Sequence, residues 1–415
     1  MKAAEALISF AAARIAASRG ISRPRFEAWQ ARALSRWLAR DVIQVAAYRG
    51  GAAKLQDLPV MDKAQLMADF AAFNRPGISA ADVAQALQKD CRIGEYTVGA
   101  STGTSGNRGY FVISDAERYR WLGSLLGKAI PDLLLSRPKV AVILPQNTRL
   151  YDAARKTGRI ELRFFDITEG PESFIDELEA FAPTVLVAPP RLLSWLAARG
   201  ARFRPDRIFS AAETLEQQER AVIEAWSGQP LRQIYMATEG LLGVSCAHGA
   251  LHLAEDSVFF EFEPVGDGLV SPLITSFRRE TQIMARYRMN DLLRLSETPC
   301  TCGSPLRVVR EVVGRRDDCF EISGLLITPD AVRNAVVKSD PRITDYRVVR
   351  SGDLVIQLVL PPDLPDEAAA RALAALRDYF SGRGLALGVV LLREALDFDP
   401  SRKLRRVENR VKARG

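Results

Sequence analysis

Histidine is nearly absent from this chain, with two in 415 residues, and cysteine is scarce at five. Five cysteines are too few for a disulfide framework at this length, and an odd number in a cytosolic setting points to free thiols or a metal. No apolar run approaches the roughly 18 residues of a membrane span. There is no Gly-Lys-Ser/Thr to form a P-loop of the usual type. Ser105 lacks the spacing of a Gly-x-Ser-x-Gly nucleophile elbow, and both histidines lie far from it in sequence, so this loop does not read as a nucleophile elbow. Internal repeats and low-complexity segments are also missing. Charge is nearly balanced, 57 basic residues against 50 acidic. The excess sits in 401–415, where seven basic residues meet only Glu408. Without interleaved aromatics, that tail argues against a nucleic-acid partner.

What is present is the ordinary balance of a globular chain, 47% hydrophobic and 26% charged. The first 20 residues have an apolar cast, but Glu5 and Arg14 interrupt it, so the expectation is an amphipathic surface helix in a cytoplasmic protein and not a signal peptide. From 139 to 240, short apolar runs (139–145, 161–167, 184–190, 207–213, 231–239) alternate with helical patterns at 172–181, 191–199 and 214–227. This βαβ rhythm predicts an α/β fold with a mostly parallel, doubly covered sheet. Beyond 240 the texture becomes β-rich, with expected strands at 258–265, 271–277 and 282–288. A charged, glycine-flanked break at 314–324 precedes a small α+β unit with helices expected at 329–338 and 365–379.

The densest chemical signal is Ser101-Thr102-Gly103-Thr104-Ser105-Gly106-Asn107-Arg108-Gly109, four hydroxyl residues and three glycines in nine positions. Glycines let a backbone curl so that N–H groups converge on an anion, and hydroxyls add donors for phosphate oxygens. Tyr235-Met236-Ala237-Thr238-Glu239-Gly240 then follows an expected strand, placing a hydroxyl and a carboxylate where open α/β sheets bind ligands. Arg286-Tyr287-Arg288-Met289-Asn290-Asp291, Gly314-Arg315-Arg316-Asp317-Asp318 and Arg402-Lys403-Leu404-Arg405-Arg406-Val407 complete the series.

In this order and spacing the motifs resemble the ANL superfamily of acyl-adenylate-forming enzymes, and within it the phenylacetate–CoA ligase branch. The resemblance runs from about 60 to 410, beginning with Leu58-Pro59-Val60-Met61-Asp62-Lys63. It implies a large N-terminal AMP-binding domain, 1–316, with βαβ layers and a β-rich subdomain, and a mobile C-terminal domain, 317–415. It also implies roles. Ser101, Thr102, Gly103, Thr104, Ser105 and Gly106 would hold the β and γ phosphates of ATP, Thr238 the α-phosphate, and Glu239 a Mg²⁺. Asp291 would take the ribose hydroxyls, Arg315 would support the nucleotide, and Asp317 would mark the hinge. Glu213, in Ala212-Glu213-Thr214, and Tyr235 would stand beside the nucleotide. Lys403 would bridge the carboxylate substrate and the α-phosphate. Two departures stand out. Asn107 replaces the loop's usual lysine, and Arg402 replaces the glycine before Lys403.

Cys246-Ala247-His248-Gly249 and Cys300-Thr301-Cys302-Gly303 share one shape, ligand-x-ligand-Gly, with 51 residues between His248 and Cys300. A Cys₃His set suits tetrahedral Zn²⁺ in a structural role. Spacing favours His248 as the fourth ligand, with His252 as the competitor. Reduced cysteines without metal are the other reading, and Cys91 and Cys319 fall outside the pattern.

The expected activity is ATP-dependent conversion of a carboxylic acid, aromatic or apolar, to an acyl-adenylate with pyrophosphate release. Transfer to the thiol of coenzyme A or of a carrier protein's phosphopantetheine follows. Two alternatives are an adenylyltransferase acting on a hydroxyl and a nucleotide-binding homologue without turnover. The substrate pocket is expected near 145–150, 210–215 and 234–243, including Tyr235, Met236, Leu241 and Leu242.

Overall fold

The computed structural model describes residues 2–101, 108–144, 159–396 and 404–411. The chain divides into two compact units, Met1–Met289 with Leu295–Arg310, and Asn290–Arg294 with Glu311–Gly415. The expected boundary at 316/317 thus falls a few residues inside the second unit.

The first unit opens with α1 (Lys2–Ala16) and α2 (Arg23–Arg40), followed by α3 (Lys63–Ala68) and α4 (Ala80–Leu87). A small antiparallel sheet comes next, β1 (Arg92–Ile93), β2 (Tyr96–Ala100) and β3 (Tyr110–Ile113), and then α5 (Asp115–Ala129). α5 starts where Ser114 and Glu117 exchange hydrogen bonds, a capping box that satisfies otherwise orphaned N–H groups. The expected amphipathic helix is α1, and it packs closely on α5. A Cβ at Gly123 would stand 2.1 Å from the Ala6 carbonyl oxygen, and one at Gly127 2.8 Å from that of Phe10, so only glycine permits the approach.

The parallel arm is built as the rhythm predicted. Strands β4 (Lys139–Leu144), β5 (Glu161–Asp166), β6 (Val185–Ala188), β7 (Arg207–Ala211) and β8 (Arg232–Ala237) pair in parallel in the order β5-β4-β6-β7-β8. Between them run α6 (Pro171–Phe181), α7 (Pro190–Arg199) and α8 (Gln217–Ser227). Both faces of this arm are covered. Ala141, Ile143, Leu186 and Ile208 pack against Ile175 and Leu178 of α6 and Leu193 and Leu196 of α7. Val140, Val142, Val185 and Phe209 pack with Phe10 of α1 and Leu125 and Ala129 of α5. The interior strands β4, β6 and β7, buried on both sides, read as unbroken apolar runs, which is why they were visible in the sequence.

After β8 the chain reverses. β9 (Gly240–Ser245) runs antiparallel to β8, and β10 (Leu251–Leu253) antiparallel to β9. β11 (Phe259–Gly266) and β12 (Leu269–Thr275) form a hairpin, and β13 (Tyr287–Arg288) pairs with β12. The strand expected across 282–288 is realised only at its end. Its earlier residues bond to the N-terminal segment: Ile283 N–H donates to Phe73, and Arg75 N–H to Thr281. Met61 N–H donates to Arg286, whose φ of 49° interrupts extended geometry. The chain then passes along β14 (Asp291–Leu295) and β15 (Val308–Arg315). Leu251 and His252 of β10 face Val309 and Val308 of β15.

In the second unit, β16 (Phe320–Ile322) and β17 (Leu325–Ile327) form a hairpin ahead of α9 (Pro329–Val337). Residues 347–360 fold into two strands, β18 (Arg347–Gly352) and β19 (Val355–Leu360), and α10 (Asp366–Ser381) leads to β20 (Gly388–Arg393). The four-stranded sheet has the order β20-β19-β18-β21, with β21 (Val407–Asn409) supplied by the basic tail. Val332, Val336, Tyr346, Leu358, Leu376 and Phe380 form its core.

Candidate functional site

Parallel strands all point their C-terminal ends to one edge, and helix-to-strand geometry leaves a crevice there for ligands. In the first unit that edge carries two of the expected segments. β7 ends at Ala211, and Ala212 follows at φ 71°, a left-handed conformation that an alanine adopts only under constraint from its surroundings. Glu213 comes next, so the strained backbone stands at the segment expected beside adenine. β8 ends at Ala237, which pairs with Gly240 across the turn, and Thr238 and Glu239 form that turn's tip. Tyr235 sits two residues inside the same strand, opposite Gly243. Thr238, Glu239, Glu213 and Tyr235 therefore stand on the ends of adjacent strands, since β7 and β8 pair directly.

Of the phosphate loop, Thr102, Gly103, Thr104, Ser105, Gly106 and Asn107 lie outside the described residues, while its base is seen. Ser101 N–H donates to Gly109 at 2.8 Å, and Gly109 N–H donates to Ser101 Oγ at 2.9 Å, closing the loop between β2 and β3. Lys63 reaches this base from α3. A Cβ on Gly109 would stand 3.2 Å from Lys63 Cε and 3.9 Å from its Nζ, so a larger residue would displace the ammonium. The Leu-Pro segment ending in Lys63 thus places a cation beside a loop that lacks its usual lysine. Residues 145–150 and Lys403 also lie outside the described residues. Leu241 and Leu242, expected to line the substrate pocket, are buried at 6% and 0% exposure. Leu241 belongs to the core on the α1/α5 face, because alternation along β9 turns it inward.

Behind the Thr238-Glu239 turn lies a charge pair that no motif announced, its glutamate, Glu117, buried and its arginine, Arg279, half-buried. Arg279 Nη1 donates to the Glu239 carbonyl oxygen at 3.4 Å, and the Trp37 indole donates to Arg279's own carbonyl at 2.6 Å. Burial pulls the Arg279 guanidinium below its ordinary pKa, against the charges of Glu117 and Glu239. Glu117 accepts from the N–H groups of Glu280 and Thr281 at 2.8 and 3.0 Å. Burial pushes its carboxyl up, but the Arg279 charge and the hydrogen bonds outweigh it, and the net shift is down.

In the second unit, Asp291 opens β14 and Arg315 closes β15. Their neighbours are tied together: Asn290 Nδ2 donates to Asp317 at 2.7 Å, and the N–H groups of Arg316 and Asp317 donate to Asn290. Arg405 is ion-paired with Asp318, and Asn409 Nδ2 donates to the Cys319 carbonyl at 2.8 Å. Burial raises the Asp318 carboxyl, against the pull of Arg405. Two motifs separated by more than 80 residues, Gly314–Asp318 and the basic tail, are therefore one contact in space. Within the tail, Val407–Asn409 form a strand, with Val407 buried in the core.

No protein-family model matches the chain. A phenylacetate–coenzyme A ligase of Thermus thermophilus is 30% identical over 95 residues, which span 22% of this chain and 21% of that relative's length. A crystal structure of 2-hydroxyisobutyryl-CoA ligase in the postadenylation state with 2-HIB-AMP matches with a TM-score of 0.68 at 17% identity. That match covers 94% of this chain and 91% of the other. The chain has the fold of the acyl-adenylate-forming ligases. An amide bond synthetase, McbA from Marinactinospora thermotolerans, shares it with a TM-score of 0.56 at 14% identity, over 75% of this chain and 68% of that one. These likenesses agree with the resemblance that the motifs carry.

Within this adenylate-forming fold the cysteine pair of turns converges, with one correction. Cys246, Cys300, Cys302 and His252 place their ligand atoms within 4.8 Å of one another. His248, which spacing favoured, is exposed and stands outside the group. Its backbone N–H is turned onto the Cys246 sulfur, a use of the turn that sends its side chain outward. His252 is brought in by β10, whose register sets it opposite Val244 and Val308, a placement no local spacing reveals. Burial pushes the Cys302 thiol up to about 12, and burial also lowers the His252 imidazole. Among the described residues no helix is long and apolar enough to cross a membrane.

Proposed function

We propose that this protein is an ATP-dependent acid–thiol ligase of the acyl-adenylate-forming type. The observation that carries this reading is the Thr238-Glu239 turn at the C-terminal end of β8, beside the constrained Ala212-Glu213 at the end of β7. In the first half-reaction a substrate carboxylate oxygen attacks the α-phosphorus of ATP and the bond to pyrophosphate breaks. In the second, a thiol attacks the acyl carbon and AMP leaves. Little covalent work falls to the protein, so its contribution is positioning and charge stabilisation.

Residues divide that work as follows. Thr102, Thr104 and Ser105 with Gly103 and Gly106 hold the β and γ phosphates, and Ser101 closes the loop. Thr238 donates to the α-phosphate. A hydroxyl and a carboxylate are hard oxygen donors, which suits Glu239 to Mg²⁺; when bound, the ion would offset charge on the phosphates. Asp291 accepts from the ribose hydroxyls, a task for two carboxylate oxygens. Arg315 supports the nucleotide, with Glu213 and Tyr235 beside it. Lys403 bridges the carboxylate and the α-phosphate, on a C-terminal domain that turns about Asp317. The acceptor is the thiol of coenzyme A or of a carrier protein's phosphopantetheine.

The test is ATP-dependent pyrophosphate release across a panel of aromatic and aliphatic acids, with Lys403→Ala as control, and coenzyme A or a phosphopantetheinylated carrier added afterwards. Release that requires one class of acid and Lys403 supports the proposal. A product that retains AMP on a hydroxyl, or tight ATP binding with no release for any acid, overturns it.

A further inference from the structure

We propose that Cys246, His252, Cys300 and Cys302 bind one structural Zn²⁺ that fastens the β9–β10 hairpin to the 296–307 loop and, through that loop, to the N-terminal helices. The geometry is that of a tetrahedral site. With Zn–S bonds of about 2.3 Å, two sulfurs on a tetrahedron lie about 3.8 Å apart. Cys246 Sγ and Cys300 Sγ are 3.8 Å apart. The two sulfurs are therefore unbonded thiols at the separation that one shared cation requires. Cys302 Sγ lies 3.3 Å from His252 Nε2, close to the edge expected between a thiolate and an imidazole ligand.

The surroundings are arranged as supports for metal ligands. His252 Nδ1 is 3.0 Å from the Leu306 carbonyl, which takes its proton and leaves Nε2 as a lone pair aimed at the sulfurs. Each sulfur receives a backbone N–H from two residues further on. Cys302 N–H donates to Cys300 Sγ and Ser304 N–H to Cys302 Sγ, both at 3.4 Å, and the His248 N–H is turned onto Cys246. These bonds spread the charge of thiolates. A Cys₃His zinc site carries one net negative charge, and the Arg232 guanidinium faces Cys246.

The consequence is mechanical. Arg19 Nε donates to the Cys302 carbonyl at 2.7 Å, and the Arg19 stem crosses Gly303 so closely that a Cβ there would meet its Cγ at 2.6 Å. Leu306 packs with Ala16 and Phe26. Glu255, fully buried, accepts from Arg23, from Arg307 Nη1 and from the Arg307 N–H. One ion would thus fix the crossing of three segments distant in sequence, without touching the residues assigned to the reaction.

The experiment uses the full-length chain. Metal analysis is expected to give one zinc per chain, and replacement by Co²⁺ to give the intense visible absorption of tetrahedral cobalt with thiolate ligands. His252→Ala is expected to weaken retention against a zinc-binding dye at least tenfold, while His248→Ala and Cys319→Ser retain the ion like the parent chain. If His252→Ala does not fold, mercurial titration of the parent still reads the site, releasing one zinc as the cysteines react. Hydrogen exchange should rise in 246–253 and 296–307 on chelation and remain unchanged in β4–β7. Folded protein lacking stoichiometric zinc, with all thiols reacting at once, overturns the proposal. So does loss of the metal from His248→Ala but not His252→Ala. None of these readouts depends on the proposed ligase activity.

Discussion

Strands β4–β8 and strands β9–β10 with the 296–307 loop belong to the same unit, yet they hold their side chains in place by different means. The interior strands of the parallel arm are covered on both faces by apolar side chains, and polar residues follow at strand ends, at Ala212-Glu213 and Thr238-Glu239. The hairpin and loop also converge on four ligand atoms and three partly buried arginine-to-glutamate hydrogen bonds. Dispersed burial holds the strands of the first region in place, so polar residues at their ends are fixed by a core they do not belong to. The second region adds to the buried apolar residues of β9 and β10 a cluster of ligand atoms that the proposed zinc would join.

If that division holds, changes at the strand tips affect turnover and leave stability nearly intact, while changes in the knuckle do the reverse. The largest effect is expected at the tip of β8. Glu239→Gln should reduce acid-dependent pyrophosphate release about 100-fold or more, the usual cost of removing one group that stabilises developing charge, with a melting temperature close to the parent's. A parallel loss of melting temperature would break the comparison. Next is the arm's interior, where Leu193→Ala, at a site with no exposure, should destabilise by about 2–5 kcal/mol in a denaturant titration. Chelation of the proposed zinc follows, expected to lower the melting temperature by about 5 °C or more while turnover per folded molecule changes less than about twofold.

A smaller effect concerns Glu117, whose native carboxyl lies below its ordinary 4.5. A depressed native value means the ionised form stabilises the fold above about pH 4.5, and that this stability is lost as pH falls through the native value. Glu117→Gln should therefore be less stable than the parent at neutral pH, and the two stability curves should converge on acidification. A constant gap from pH 7 to pH 3 would show that its hydrogen bonds, and not its charge, matter. The smallest effect is at Ala212. Relieving a left-handed alanine, Ala212→Gly should raise stability by up to about 1 kcal/mol and weaken nucleotide affinity slightly, since the constraint that fixes the segment is lost.

Strands β4, β6 and β7 were legible because two-sided burial writes continuous apolar runs, and the expected runs ended at 145, 190 and 213, one or two residues past the ends of these strands at 144, 188 and 211. The segment 282–288 was misread as a whole strand because its apolar residues pair with the 61–75 segment, and such a partner leaves no periodic mark. Glu117 and Arg279 were illegible for a related reason. Each stands among other charges, Glu117 between Asp115 and Arg118 and Arg279 between Arg278 and Glu280, and only the contacts made in the fold single them out.

Composition and order of residues by themselves determined that this is an α/β chain with a phosphate-loop candidate, a hydroxyl–carboxylate pair after a strand, and two ligand-x-ligand-Gly turns. Those features are local, and local chemistry survives in a linear string. The choice of His252 over His248, the approach of Lys63 to Gly109, and the meeting of Arg405 with Asp318 were decided only by the tertiary structure. Each depends on strand register or on two distant segments crossing, and neither is fixed until the whole sheet closes around its core.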